Sequence, residues 1–130
     1  MKAANITVVG VQSGNWEIEK GNTVAAGMMR EHLDLVALLA GNDSMALGAV
    51  AAVKAAGKTG KVQVVGYDNI GAIKPMLADG RVLATADQYA AKQAVFGIEL
   101  AQKALAAKTP RNQLPATVKT AVVLVTKDSK

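Results

Sequence analysis

Residues 38–50 read LLAGNDSMALGAV, an apolar run that stops at Gly41, Asn42 and Asp43 before small, helix-forming residues take over. A buried strand gives way to a helix within this stretch, because Gly and Asn interrupt a ladder while Asn, Asp and Ser open helices. The same handover recurs on both sides. Apolar runs at residues 6–11, 35–40, 61–67, 82–86 and 119–126 predict strands, and residues 17–32, 44–56, 70–78 and 90–107 predict helices, with Gly57 and Gly80 as stops. Strands alternating with helices require right-handed crossovers, so the chain is expected to be α/β, with a parallel sheet in a three-layer, Rossmann-like or flavodoxin-like arrangement.

Composition agrees with that expectation and removes several kinds of chemistry. The 130 residues fit one core, and hydrophobic residues make up 51% but aromatics only 3%, so Ala, Val, Leu and Ile must fill it. There is no cysteine and one histidine, His32, which excludes disulfides and thiol catalysis and leaves no metal site or histidine-based triad to expect. His32 is expected at a helix end, beside terminal carbonyls. A net charge of +5 comes from lysines spread without runs or interleaved aromatics, so a solvated, mildly basic surface is expected and nucleic acid is not expected as a partner. No run reaches the roughly 18 apolar residues of a membrane span, and Met1 and Lys2 lead into a predicted strand rather than a signal peptide.

Glycine-rich cofactor loops are also missing. The segment AAGKTGK at 55–61 ends like a phosphate-binding loop, but Ala52 stands where its first glycine belongs, and the segment closes a helix instead of opening one. No cofactor is expected. Asp34, Asp79 and Glu99 read as solvated surface or turn positions.

Polar residues gather where the predicted strands end: Ser13, Asn15 and Trp16; Asn42 and Asp43; Asp68 and Asn69; Asp87 and Gln88. Ligands of open parallel sheets bind outside the carboxyl ends of the strands. Capping explains part of this set, but one cap suffices for a helix, and Asn42, Asp43 and Ser44 offer three in a row. Amides and carboxylates with one indole nearby suit a neutral polyhydroxyl ligand, whose hydroxyls need both donors and acceptors and whose C–H face stacks on an aromatic ring.

The blocks VALLAGNDSMALGAVAAVKAAGKTGKVQVVGYDN (36–69) and ADGRVLATADQ (78–88) resemble the carboxyl-terminal half of the ribose-type periplasmic sugar-binding proteins of ABC importers, type I periplasmic binding proteins. The resemblance implies a non-enzymatic sugar-binding component of a transport system, a monosaccharide ligand, an ABC permease as partner and a periplasmic parent protein. It places ligand contacts on Asn42, Asp68 and Gln88 and a stacking aromatic on Trp16 in NWEIEKG, leaving Asp43 and Ser44 to cap the helix.

It also implies that an amino-terminal lobe, roughly one domain of sequence, is missing. On that basis residues 1–88 are expected to be a partial carboxyl-terminal lobe. Residues 89–117 would be a crossover helix and linker that pack on the missing lobe, and 118–130 a terminal strand and tail. The helix face carrying Val95, Ile98, Leu100 and Leu105 would then be exposed, so self-association is expected. A second reading is the effector-binding domain of a LacI-type regulator, which has a similar N-D-x-M-A-x-G block but would be preceded by a helix-turn-helix. A third, a small flavodoxin-like enzyme, lacks a nucleophile, metal or cofactor loop.

Overall fold

The computed structural model describes residues 6–129. Four strands, β1 (Ala37–Leu39), β2 (Gln63–Tyr67), β3 (Ala84–Asp87) and β4 (Val123–Val125), form one sheet in the order β1-β2-β3-β4. Helices α1 (Ile18–Glu31), α2 (Asp43–Ala55), α3 (Lys74–Ala78) and α4 (Ala90–Ala106) alternate with them, α3 being preceded by a 3-10 turn at Gly71–Ile73. The expected stops Gly57 and Gly80 have φ of 64° and 80°, the left-handed conformation that lets a chain leave a helix without a Cβ clash.

β1, β2 and β3 run parallel, as expected, but β4 pairs antiparallel to β3, with Thr85 opposite Val125 and Asp87 opposite Val123. The sheet is therefore mixed. A strand's direction depends on how the preceding connection returns, and neither composition nor periodicity encodes it. Residues 6–11 are a second departure: they form no strand, and Ile6, Val8, Val9 and Val11 are exposed. Their alternation is strand-like, but they make no backbone hydrogen bond among the described residues, and a strand is defined by its ladder.

The core lies between the sheet and the helices α1, α2 and α3. Ala46, Ala49, Val50, Ala52 and Val53 of α2 meet Val64 of β2, Val62 and Val82 near strand starts, and Ile73 and Leu77 around α3. Small residues in α2 allow close approach: a Cβ on Gly48 would collide with the Ile18 carbonyl oxygen and come within 2.6 Å of the Asn22 nitrogen. Asn22 Nδ2 donates to the Gly48 carbonyl at 3.1 Å and closes that crossing. By contrast α4 has no buried residue; Val95, Ile98 and Leu105 are exposed as expected, Phe96 is exposed too, and Leu100 is half-buried.

No helix among the described residues is long and apolar enough to cross a membrane. His32 stands at the carboxyl end of α1, but it is its backbone N–H that donates to a helix carbonyl, that of Met28 at 2.9 Å. Asp79 sits in an exposed turn and pairs with Arg81 at 2.6 Å.

Candidate functional site

The site is built at the carboxyl ends of the parallel strands. Leu39 pairs with Val65 and Tyr67 with Ala86, so Asn42 lies three residues and Asp68 one residue past the last paired position of its strand, and Asp87 and Gln88 stand at the end of the next strand. The chain bends sharply at these points. Asn15 (φ 49°), Trp16 (64°), Asp68 (110°), Asn69 (56°) and Tyr89 (53°) all have positive φ. Non-glycine residues held there cost of order 1 kcal/mol each and persist only where neighbours over-determine them, which is typical of ligand sites.

The four residues predicted as ligand contacts fall into two pairs. Gln88 Nε2 donates to Asp68 Oδ1 at 2.7 Å, joining the ends of β2 and β3. Asn42 Nδ2 donates to the Trp16 carbonyl at 3.4 Å, a long contact joining the end of β1 to the turn before α1. Trp16 is 68% exposed, and its ring lies over Gly41, where a Cβ would come within 3.2 Å of Cζ3. A free indole face beside an amide, and a carboxylate beside an amide, give the surface donors, acceptors and an apolar plate.

The cap of α2 falls on Asn42 and not, as expected, on Asp43 or Ser44. Asn42 is the cap of α2: its Oδ1 accepts from the Met45 N–H at 2.8 Å. Asp43 caps nothing and is fully buried, accepting from Thr85 Oγ1 at 2.7 Å and from the Ile70 N–H at 2.9 Å. Those partners lie on other elements, which is why three cap-capable residues in a row could not reveal the split. Asn42 keeps its Nδ2 on the outer side, so capping and a ligand contact are compatible in one amide.

A second rung parallels the Asp68–Gln88 pair. Asn69 Nδ2 donates to Asp87 Oδ2 at 3.0 Å, and Asp87 Oδ1 accepts the Tyr89 N–H at 2.7 Å. The Asn69 amide, then the Tyr89 N–H and the charges of Lys92 and Lys74, hold the Asp87 carboxyl below its ordinary value near 3.8. The Asn69 Oδ1 is buried without a hydrogen-bond partner among the described residues. Lys92 Nζ lies 4.4 Å over the Tyr89 ring. Sequence reading placed Asn69 and Asp87 at strand ends but assigned them no role; their adjacency to Asp68 and Gln88 was the available signal.

An apolar cavity of about 80 Å³ lies beside β1, lined by residues including Gly14, Ala25, Leu38, Leu39 and Met45, and does not include the four predicted residues. Among the described residues no group of three or more His, Asp or Glu could hold a metal.

An α/β lobe with a polar, strained rim at the carboxyl ends of its strands is the architecture of a solute-binding lobe. The chain belongs to the periplasmic binding protein domain family, whose model matches residues 1–109. It is 69% identical over 126 residues to the D-ribose/D-allose-binding protein of Pseudomonas aeruginosa, a match that covers 97% of this chain and 40% of that one. An ABC transporter solute binding protein from Burkholderia multivorans superimposes with a TM-score of 0.92 at 67% identity, over 97% of this chain and 44% of that one. A periplasmic solute binding protein from Actinobacillus succinogenes with bound D-allose gives 0.86 at 34% identity, over 97% and 43%. The chain thus spans less than half the length of the proteins it matches.

Proposed function

We propose that this chain is the carboxyl-terminal part of the sugar-binding component of an ABC importer, and that Trp16, Asn42, Asp68 and Gln88 form its half of a monosaccharide site. The observation that carries the reading is the Asp68–Gln88 pair held between the strained ends of β2 and β3. The 69% identity to a D-ribose/D-allose-binding protein supports an aldose of that kind as ligand. Asp68 accepts two sugar hydroxyls, Gln88 and Asn42 donate and accept, and Trp16 stacks on the C–H face.

In the intact protein a second lobe closes over this rim and buries the sugar hydroxyls against paired groups, which selects the closed form for the permease in the membrane. The parent protein is periplasmic. α4 and the segment from 107 to 117 form the crossing to that lobe, and the exposed Val95, Ile98 and Leu105 pack on it or, without it, on a second copy of the chain. The relatives are importer components, which does not favour the LacI-type regulator; nor do they support an enzyme.

The test is calorimetric titration of D-ribose and D-allose into the longer native protein and its Asp68→Ala variant. The variant is expected to bind at least about tenfold more weakly, about 1.4 kcal/mol. Equal affinities would remove Asp68 from the site. The intact mass of the native protein in separated periplasmic and cytoplasmic fractions checks the rest: a cytoplasmic 130-residue species contradicts a two-lobed periplasmic parent.

A further inference from the structure

The buried Asp43 carboxylate has no ligand to touch and no helix to cap, yet the fold makes room for it. A Cβ on Gly66 would collide with Asp43 Oδ1 and lie 3.3 Å from Ala46 Cβ, so a side chain at this point of β2 would evict the carboxylate. Gly66 is registered against Thr85, and through the gap Asp43 reaches the Thr85 hydroxyl on the far side of β2. Thr85 is fully buried as well. Its Oγ1 accepts from the Asn69 N–H at 3.4 Å, while Asp43 Oδ2 takes the next amide, Ile70, at 2.9 Å.

A buried carboxylate is a poor way to gain stability, since apolar groups of similar volume commonly do as well or better. What this one does is local. It holds two successive amides, directly and through one hydroxyl, at the residues that follow Asp68, whose φ of 110° is the most unusual among non-glycine residues of the rim. We infer that Asp43, with Thr85 and the notch at Gly66, is a positioning residue that fixes the Asp68–Ile70 turn and thereby keeps Asp68 against Gln88. This deepens the sugar-site reading above and rests on it for its functional meaning.

The test compares Thr85→Val, which removes the hydroxyl, with Thr85→Ser, which keeps it, in the longer native protein. Amide hydrogen exchange and backbone NMR shifts are read at residues 68–70 and at the Gln88 side-chain amide, with D-allose and D-ribose titrations alongside. Thr85→Val is expected to speed exchange at Ile70 by about tenfold, move the Asp68 and Gln88 resonances and weaken sugar binding by a similar factor, with Thr85→Ser near wild type. Asp43→Asn, which keeps one acceptor and reverses the other contact, should fall between the two.

Unmoved Asp68 and Gln88 resonances in a folded Thr85→Val variant overturn the inference. So does a Ser variant that behaves like Val, or a displaced turn with unchanged sugar affinity. If the longer wild-type protein binds neither sugar, that counts against the proposed function, and the exchange and resonance data still decide whether the clamp exists.

Discussion

α4 is the more apolar helix and α1 the less, yet α1 buries Gly21, Ala25 and Met29 while α4 buries nothing. The difference lies in the surface each one meets. α1 crosses α2 at paired glycines, Gly21 against Met45 and Gly48 against Ile18, where the absence of Cβ atoms lets two backbones approach. Among the described residues, the side-chain hydrogen bonds of α4 are near its start, from Gln93 Nε2 to the Gln88 carbonyl at 2.8 Å and to Thr120 Oγ1 at 3.2 Å. Apolar sequence makes burial favourable, but a complementary surface decides whether it happens.

The largest effect that could break this contrast is at the crossing. Gly48→Val should lose about 3 kcal/mol or more, or fail to fold, in denaturant unfolding followed by circular dichroism, since it drives a branched side chain into the α1 backbone. Next comes the core under the sheet. Leu77→Ala, at a side chain only 4% exposed, should cost about 2–3 kcal/mol by the same measurement.

A smaller, pH-dependent effect sharpens the comparison at the rim between the two regions. The folded state holds Asp87 below its ordinary value, so its contribution to stability is complete above that value and disappears as pH falls through the lower folded one. Asp87→Asn should therefore lower stability at neutral pH and flatten the acid limb of a stability-versus-pH curve below about pH 4, so that variant and wild type converge in acid. The smallest effect is on α4. Ile98→Ser, on a side chain 60% exposed, should change the stability of the monomer by less than about 0.5 kcal/mol. A fall in sedimentation coefficient for the same variant would mean that this face joins copies of the chain.

The parts of the fold that sequence made legible are those where one residue's neighbours are close in the chain. Helix positions followed from 3.6-residue spacing, and three of the strands from apolar runs ending in Asn or Asp. Residues 6–11 misled because a ladder needs a partner that the run itself does not supply. The direction of β4 was hidden for a similar reason. At the site, strand ends marked Asp68 and Gln88, which the structure brings together, but the burial of Asp43 in place of its expected cap depends on Ile70 and Thr85, which are 27 and 42 residues further along. Burial of that kind is written in no local pattern.

Trp16 carries one more consequence. It is the sole tryptophan of the chain, it is 68% exposed, and it sits on a left-handed turn over Gly41. Indole emission therefore has a single origin, at the rim, with the long-wavelength maximum of a solvated ring. Anything that covers the rim drives that emission to the blue, while rearrangement confined to α4 leaves the spectrum still. The molecule has a built-in optical gauge that distinguishes events at one end from events at the other.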